Sequence, residues 1–161
     1  AGFPNVGKSS FIRSVSTADP EIAAYPFTTK GVIVGHRDIG KRDRIQFIDT
    51  PGVLERPADE RNPIERQAVS AIINTADVVL FILDASEHCG YALDDQLRLR
   101  DEISRLVDVP VVTVVNKADI RGLEGCPAMS TLTGDGVAAV LDLLLTYRKE
   151  ATKTSLREPL Q

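Results

Sequence analysis

The sequence predicts an α/β domain: a mainly parallel β-sheet forming the middle of three layers, with helices on both faces. Three observations predict it. Strand-like runs alternate with segments of helical period along the 161 residues. Two of those runs, "DVVLFILDA" (77–85) and "VPVVTVV" (109–115), are apolar on both faces, as central parallel strands must be. The polar motifs fall where such runs end, which in these sheets is where ligands sit.

The elements follow in order. "KSSFIRSVST" (8–17) reads as a helix, with Phe11, Ile12 and Val15 at helical spacing. "ADPEIAAYPFTTK" (18–30) has two prolines and no period, so a loop is expected. "GVIVGHRDI" (31–39) and "RIQFIDT" (44–50) read as a hairpin turning at Gly40–Asp43. The Pro- and charge-rich stretch 51–63 reads as a loop and 64–76 as a helix. The strand 77–85 precedes an amphipathic helix over 93–106, whose core candidates are Leu93, Leu97, Ile103 and Leu106. The strand 109–115 leads to "GCPAMS" (125–130), a short last strand, and to a closing helix over 136–150. The expected domain is therefore 1–150, with 151–161 a polar tail or linker.

A chain of this length suits one domain and buries roughly 70% of its unfolded surface, enough for a core without staples. The net charge of −4 argues against broad, non-specific nucleic-acid binding, while leaving room for docking on an RNA–protein assembly through a small patch. Cys89 and Cys126 are isolated and lack metal-ligand spacing. A disulfide partner is not expected, and a reducing cytoplasmic compartment is the simpler reading. No apolar run approaches the ~20 residues that cross a bilayer, so no membrane partner is expected.

The first ten residues, "AGFPNVGKSS", carry the strongest motif. Gly2 to Ser9 matches G-x-x-x-x-G-K-S, a loop whose inward backbone N–H groups cradle phosphates. Gly7 allows close backbone approach, Lys8 reaches the β- and γ-phosphates, and the Ser9 hydroxyl ligates Mg²⁺. Asn5, Val6 and Ser10 complete the loop and the first helical turn, whose N-terminus points at the anion. Such a loop hangs from a buried strand. Ala1 then reads as the last residue of a strand that precedes the chain, and the domain is expected to lack its first strand.

Asn116-Lys117-Ala118-Asp119 follows the strand 109–115. A carboxylate at Asp119 can accept the guanine N1–H and exocyclic amine together; adenine offers no such donor pair and would leave a buried Asp unpaired. Asn116 would brace the loop, and the Lys117 stem would lie over the purine face. In "MSTLTGDGV" (129–137), Ser130 and Thr131 can offer N–H groups to the other edge of the base, and Thr133 or Asp135 can cap the next helix. Asp49-Thr50-Pro51-Gly52 ends a strand: Asp49 is placed to hold Mg²⁺ directly or through water, and the Gly52 N–H to meet the γ-phosphate. "YPFTTK" (25–30) offers Thr28 and Thr29; Thr29, twenty positions after Ser9, is the residue expected on Mg²⁺ and the γ-phosphate.

These five motifs, in this order, resemble a small GTPase domain of the translation-factor class, built on the P-loop NTPase fold. "YPFTTKG" resembles the Obg-related branch. "IDTPGVLERPADERNPIERQA" together with "DASEHCGYALDDQ" is similar to the nucleolar GTP-binding protein family, which has archaeal relatives. The likeness spans about residues 1 to 130. It implies a GTP/GDP switch acting in assembly of the large ribosomal subunit, with pre-ribosomal RNA or proteins as partners, cytoplasmic or, in a eukaryote, nucleolar. It also implies further chain before and after the domain.

Phosphoryl transfer would rest on positioning and charge neutralisation, with Lys8, Thr29 and Gly52 the residues at the reacting phosphate. Many GTPases place a water-orienting glutamine after the Asp-x-x-Gly glycine. Here that position is Val53, so slow intrinsic hydrolysis is expected. Asn5 either braces its loop or ligates K⁺, as in some related GTPases. Arg56, Arg61 and Arg66 are candidate cis-acting fingers that nothing in the sequence separates. A GTP-dependent scaffold with negligible turnover and a tRNA-modification or translation GTPase stay open as alternatives. His88 and Cys89 in "SEHCGY" read as a partner contact or a loop brace, and His36 as structural or exposed.

Overall fold

A computed structural model describes residues 1–24, 31–40, 43–49, 63, 66–67, 69–70 and 74–155, the last few of these (from 149) as backbone only. The loop 25–30, Thr50 to Asn62 and most of the helix expected over 64–76 lie outside the described residues; Pro63, Arg66, Gln67, Val69 and Ser70 are helical.

Helix α1 (Lys8–Val15) buries Phe11, Ile12 and Val15 on one face. It lies on strand β2 (Val32–Asp38), where Gly35 is a packing requirement: a Cβ there would stand 2.5 Å from Ile12 Cγ2 and 2.1 Å from Ser16 Oγ. β2 pairs antiparallel with β3 (Arg44–Asp49), with Ile33 opposite Asp49 and Asp38 opposite Arg44. The turn closes through the Ile39 N–H to the Asp43 carbonyl at 2.8 Å.

The expected loop over 18–30 is corrected in its first part. Glu21–Ala23 forms a short strand, β1, paired antiparallel with Val32–Val34. The free edge of β2 supplies backbone partners that the local sequence does not advertise, and Ile22 remains 81% exposed.

Strand β4 (Val79–Asp84) and strand β5 (Val111–Asn116) pair in parallel, with Asp84 opposite Asn116. Phe81, Leu83, Val114 and Val115 are fully buried, which explains the apolar runs on both faces. The last expected strand shrinks to one parallel bridge between Val115 and Ala128, held by bonds of 2.8 Å on either side of Val115. Ala1 lies alongside β4: its amino group donates to the Leu80 carbonyl at 2.7 Å, and its carbonyl accepts from the Ile82 N–H at 3.0 Å.

Helix α2 (Leu93–Leu106) has the expected bounds and buries the expected Ile103, but Gln96 and Leu99 complete its buried face. Leu106 is 46% exposed and Leu93 and Leu97 only flank the core. A polar residue, Gln96, holds the centre of that face because β4 supplies it with backbone partners. Helix α3 (Val137–Ser155) packs on α1 and buries Val137, Val140, Leu141 and Leu144. It runs through the expected boundary at 150. Arg148 on α3 reaches back to Asp43 at 2.9 Å and clips the helix to the β2–β3 turn. The hydrogen bond from the Arg148 guanidinium holds the Asp43 carboxyl below the usual carboxylate range, against a smaller opposing effect of desolvation.

Candidate functional site

The phosphate-type loop leaves β4's flank at Ala1 and enters α1 at Gly7. Its shape rests on residues at positive φ: Gly2 at 136°, Asn5 at 63° and Gly7 at 105°. Only glycine fits at two of them. A Cβ on Gly2 would stand 2.6 Å from the Ile82 carbonyl oxygen, and one on Gly7 2.0 Å from Asn116 Nδ2. The Lys8 side chain is buried and its ammonium donates to the carbonyls of Gly2 at 3.0 Å and Phe3 at 2.8 Å. The charge is thus folded over the loop it belongs to. Asn5 and Ser10 face solvent, and Val6 is fully buried beneath the loop.

Ser9 and Asp49 meet. The Ser9 hydroxyl donates to Asp49 Oδ2 at 2.9 Å, and Asp49, at the end of β3, is 6% exposed. Forty positions apart in sequence, they place a hydroxyl and a carboxylate oxygen side by side at the start of α1. Thr29 and Gly52 lie outside the described residues, as do Thr28, Thr50, Pro51, Val53, Arg56 and Arg61. Arg66 is exposed.

Asn116 at the end of β5 joins three segments. Its Nδ2 donates to the Val6 carbonyl at 2.9 Å and to Thr131 Oγ1 at 3.1 Å, while its Oδ1 accepts the Thr131 N–H at 2.9 Å. The residue is 1% exposed, and its bond to the Val6 carbonyl is fully buried, where leaving it unmade costs about 1–3 kcal/mol. The loop at 2–9 and the loop at 130–136 are therefore locked to one side chain. Lys117 adopts a left-handed φ of 57°, and the turn it opens is closed by the Ile120 and Arg121 N–H groups bonding back to its carbonyl. Asp119 is exposed on that turn and, with Ala118, Met129, Ser130, Asp135 and Gly136, lines a hollow of about 200 Å³.

Ser130 and Thr131 stand beside Asn116, and their N–H groups, expected to face the base, bond within the chain. The Ser130 N–H is taken by the Asp135 carbonyl at 2.8 Å and the Thr131 N–H by Asn116. Both groups brace the loop. Thr133 and Asp135 bond each other at 2.7 Å, closing the same turn before α3. A second cavity, of about 430 Å³, runs between β3 and β4 with Lys8 and Asp49 among its lining residues.

Sequence reasoning passed over Asp84 and Gln96. Asp84 is fully buried at the end of β4, and its carboxylate accepts the Lys117 ammonium at 2.6 Å and the Cys89 N–H at 2.8 Å. Gln96 sews β4 to the following loop, accepting the Asp84 N–H at 2.8 Å and donating to the Tyr91 carbonyl at 2.9 Å. The available signal was an Asp directly after "VLFIL", at the same strand end as the other motifs. His88 is exposed and turns onto Ser86, and His36 is exposed on β2. Desolvation raises the pKa of both Cys89 and Cys126, so neither thiol is poised as a nucleophile. Among the described residues no group of three or more His, Cys, Asp or Glu could hold a metal, and no helix is long and apolar enough to cross a membrane.

Comparison with known proteins places this arrangement. The family model of nucleolar GTP-binding protein 1 matches residues 63–119. An uncharacterized protein of Methanocaldococcus jannaschii is 51% identical over 120 residues, 74% of this chain and 33% of its own length. Nucleolar GTP-binding protein 1 of Encephalitozoon cuniculi is 47% identical over 124 residues, 77% of this chain and 23% of its own length. The chain thus spans a third or less of these two curated relatives. A Plasmodium falciparum crystal structure, described as nucleolar GTP-binding protein 1, superposes with a TM-score of 0.85 at 32% identity, covering 97% of this chain and 87% of that one. The fold is that of a P-loop GTPase domain, and the chain belongs to the nucleolar GTP-binding protein 1 family.

Proposed function

We propose that this domain binds GTP and GDP with Mg²⁺, hydrolyses GTP slowly, and serves as a switch in assembly of the large ribosomal subunit. The observation that supports it most is Asn116, whose one carboxamide ties the Val6 carbonyl of the phosphate loop to Thr131 of the base-side loop. A phosphate grip and a base reader coupled in this way form one nucleotide-sized site.

The residues present fit a magnesium ion. Ser9 and Asp49 give an oxygen-only donor pair, hydroxyl and carboxylate, 2.9 Å apart, and a nearly buried carboxylate favours a cation beside it. Thr29 would join them. The ion, when bound, neutralises charge on the phosphate oxygens. The chain's own residues do the rest. The Lys8 ammonium exchanges its bonds to the Gly2 and Phe3 carbonyls for phosphate oxygens, and the loop's N–H groups hold the same oxygens in place. Asp119 accepts the guanine donors, and Gly52 and Thr29 hold the γ-phosphate and the attacking water. With Val53 after Gly52, no side chain at that position orients the water, which supports slow turnover. Asn5 presents its exposed side chain at the loop's rim; faster hydrolysis in KCl than in NaCl would assign it a K⁺, and equal rates would leave it a bracing role.

The ribosomal role rests on family likeness and on the mildly acidic charge, which favours a defined docking patch over diffuse RNA binding. The deciding experiment is calorimetric titration with GTP, GDP and ATP, with and without Mg²⁺, followed by co-sedimentation of the full-length protein with large-subunit particles. Guanine nucleotides should bind at least a hundredfold more tightly than ATP, and Ser9→Ala should remove most of the Mg²⁺ dependence. ATP binding as tightly as GTP would end the proposal.

A further inference from the structure

We infer that Asp84 is a positioning residue for the base-reading turn, acting through Lys117 and not through the nucleotide. The inference rests on the guanine-nucleotide reading above.

Asp84 and Asn116 are opposite each other as the last residues of two parallel strands. Asn116 turns to the phosphate loop, and the chain then reverses at Lys117 through a left-handed backbone, φ 57°. For a residue with a Cβ this conformation is disfavoured and persists only where the surroundings hold it. Here the restraint is visible: the Lys117 side chain runs back over the strand ends and its ammonium meets Asp84 Oδ2 at 2.6 Å. The carboxylate is fully buried, while the lysine keeps 24% of its side chain exposed, so its stem remains available to a planar ligand. Asp119 rides on the same turn, whose Ile120 and Arg121 N–H groups close onto the Lys117 carbonyl.

Asp84 is itself fixed from the other side. Its Oδ1 accepts from the Ser86 N–H at 3.0 Å and from the Ser86 hydroxyl, and its Oδ2 accepts from the Cys89 N–H at 2.8 Å. Gln96 of α2 holds its backbone at both N–H and carbonyl, at 2.8 and 3.0 Å. A buried carboxylate with this many donors cannot swing, so the lysine it pairs with is aimed by a rigid group. The "SEHCGY" loop thereby acquires a role: it builds the carboxylate's socket. The same loop ends in Tyr91, whose ring stacks on Phe3 of the phosphate loop at 4.2 Å between centroids.

The test separates base from phosphate. GDP and inorganic tripolyphosphate are titrated into the wild-type protein, Asp84→Asn and Lys117→Met, with folding checked by circular dichroism. Asp84→Asn should weaken GDP at least tenfold and leave tripolyphosphate within twofold; Lys117→Met, at a partly exposed position, should reproduce the base-dependent loss. An equal loss for both ligands would mean that Asp84 merely supports the loop and would overturn the inference. So would undiminished GDP binding by Asp84→Asn. If Asp84→Asn does not fold, Lys117→Met decides alone: GDP binding at wild-type strength sinks the inference. A wild-type protein that binds ADP as well as GDP would instead sink the guanine reading, an outcome distinct from either.

Discussion

β4 and β5 are buried along almost their whole length, whereas β2 is exposed over its second half and β3 is covered only in part. The two regions deliver site residues differently. The parallel pair ends in Asp84 and Asn116, both withdrawn from solvent and bonded on every side. The antiparallel ribbon ends in Asp49, whose carboxylate meets a single short hydroxyl side chain from α1 among the contacts described. A site half-built on packed core and half on a ribbon can hold its Asn116 end rigid while its Asp49 end adapts. That division suits a proposed switch, in which the γ-phosphate side must change and the purine side need not.

The largest effect that would sharpen this contrast is in the core. Phe81→Ala should cost about 3–5 kcal/mol in chemical denaturation. Phe47→Ala on β3, partly buried and edge-on to Phe11, should cost clearly less. Equal losses would break the comparison.

Next comes the side chain that joins the loops. Asn116→Ala strands the buried Val6 carbonyl and the half-buried Thr131 N–H, so a loss of about 1–3 kcal/mol is expected, together with weaker nucleotide binding. A variant as stable as the wild type would show that the loops hold one another without it.

A smaller effect is set by pH. Burial pushes the Asp84 carboxyl up, but the Lys117 and Ser86 hydrogen bonds outweigh it, and the group ends below its ordinary pKa. A folded-state pKa below the unfolded one contributes stability above the unfolded value, and that contribution disappears as pH falls through the folded value. The melting-temperature gap between wild type and Asp84→Asn should therefore be constant at neutral pH and close in acid below the ordinary carboxylate range. A gap unchanged across that range would deny the linkage.

The smallest effect is expected at the surface. Arg148→Ala removes an exposed ion pair to Asp43 and should lower the melting temperature only slightly, less still in high salt. A large, salt-independent drop would mean that the clip between α3 and the β2–β3 turn matters more than its exposure suggests.

The phosphate loop, α1, the two buried strands and the Asn116 turn were legible because each is written locally. A glycine spacing, a helical period or an apolar run depends only on neighbours in the chain. The short strand β1 was not, since it exists by borrowing the edge of β2. The true buried face of α2 was hidden for the same reason: Gln96 looks like a surface residue until its partners on β4 and at Tyr91 are in place. What the Ser130 and Thr131 N–H groups bond to was not legible either, since it depended on Asp135 and Asn116.

By itself the sequence determined that a glycine-bounded loop would sit at the head of a helix, and that polar motifs would gather at the strand ends of an α/β sheet. Spacing and periodicity suffice for that, because they follow from the backbone geometry of single elements. Only the tertiary structure decided which of those polar groups bond to one another. Ser9 with Asp49, Asn116 with Val6, and Lys117 with Asp84 are contacts between distant segments. Burial makes each of them strong, and burial is a property of the assembled fold.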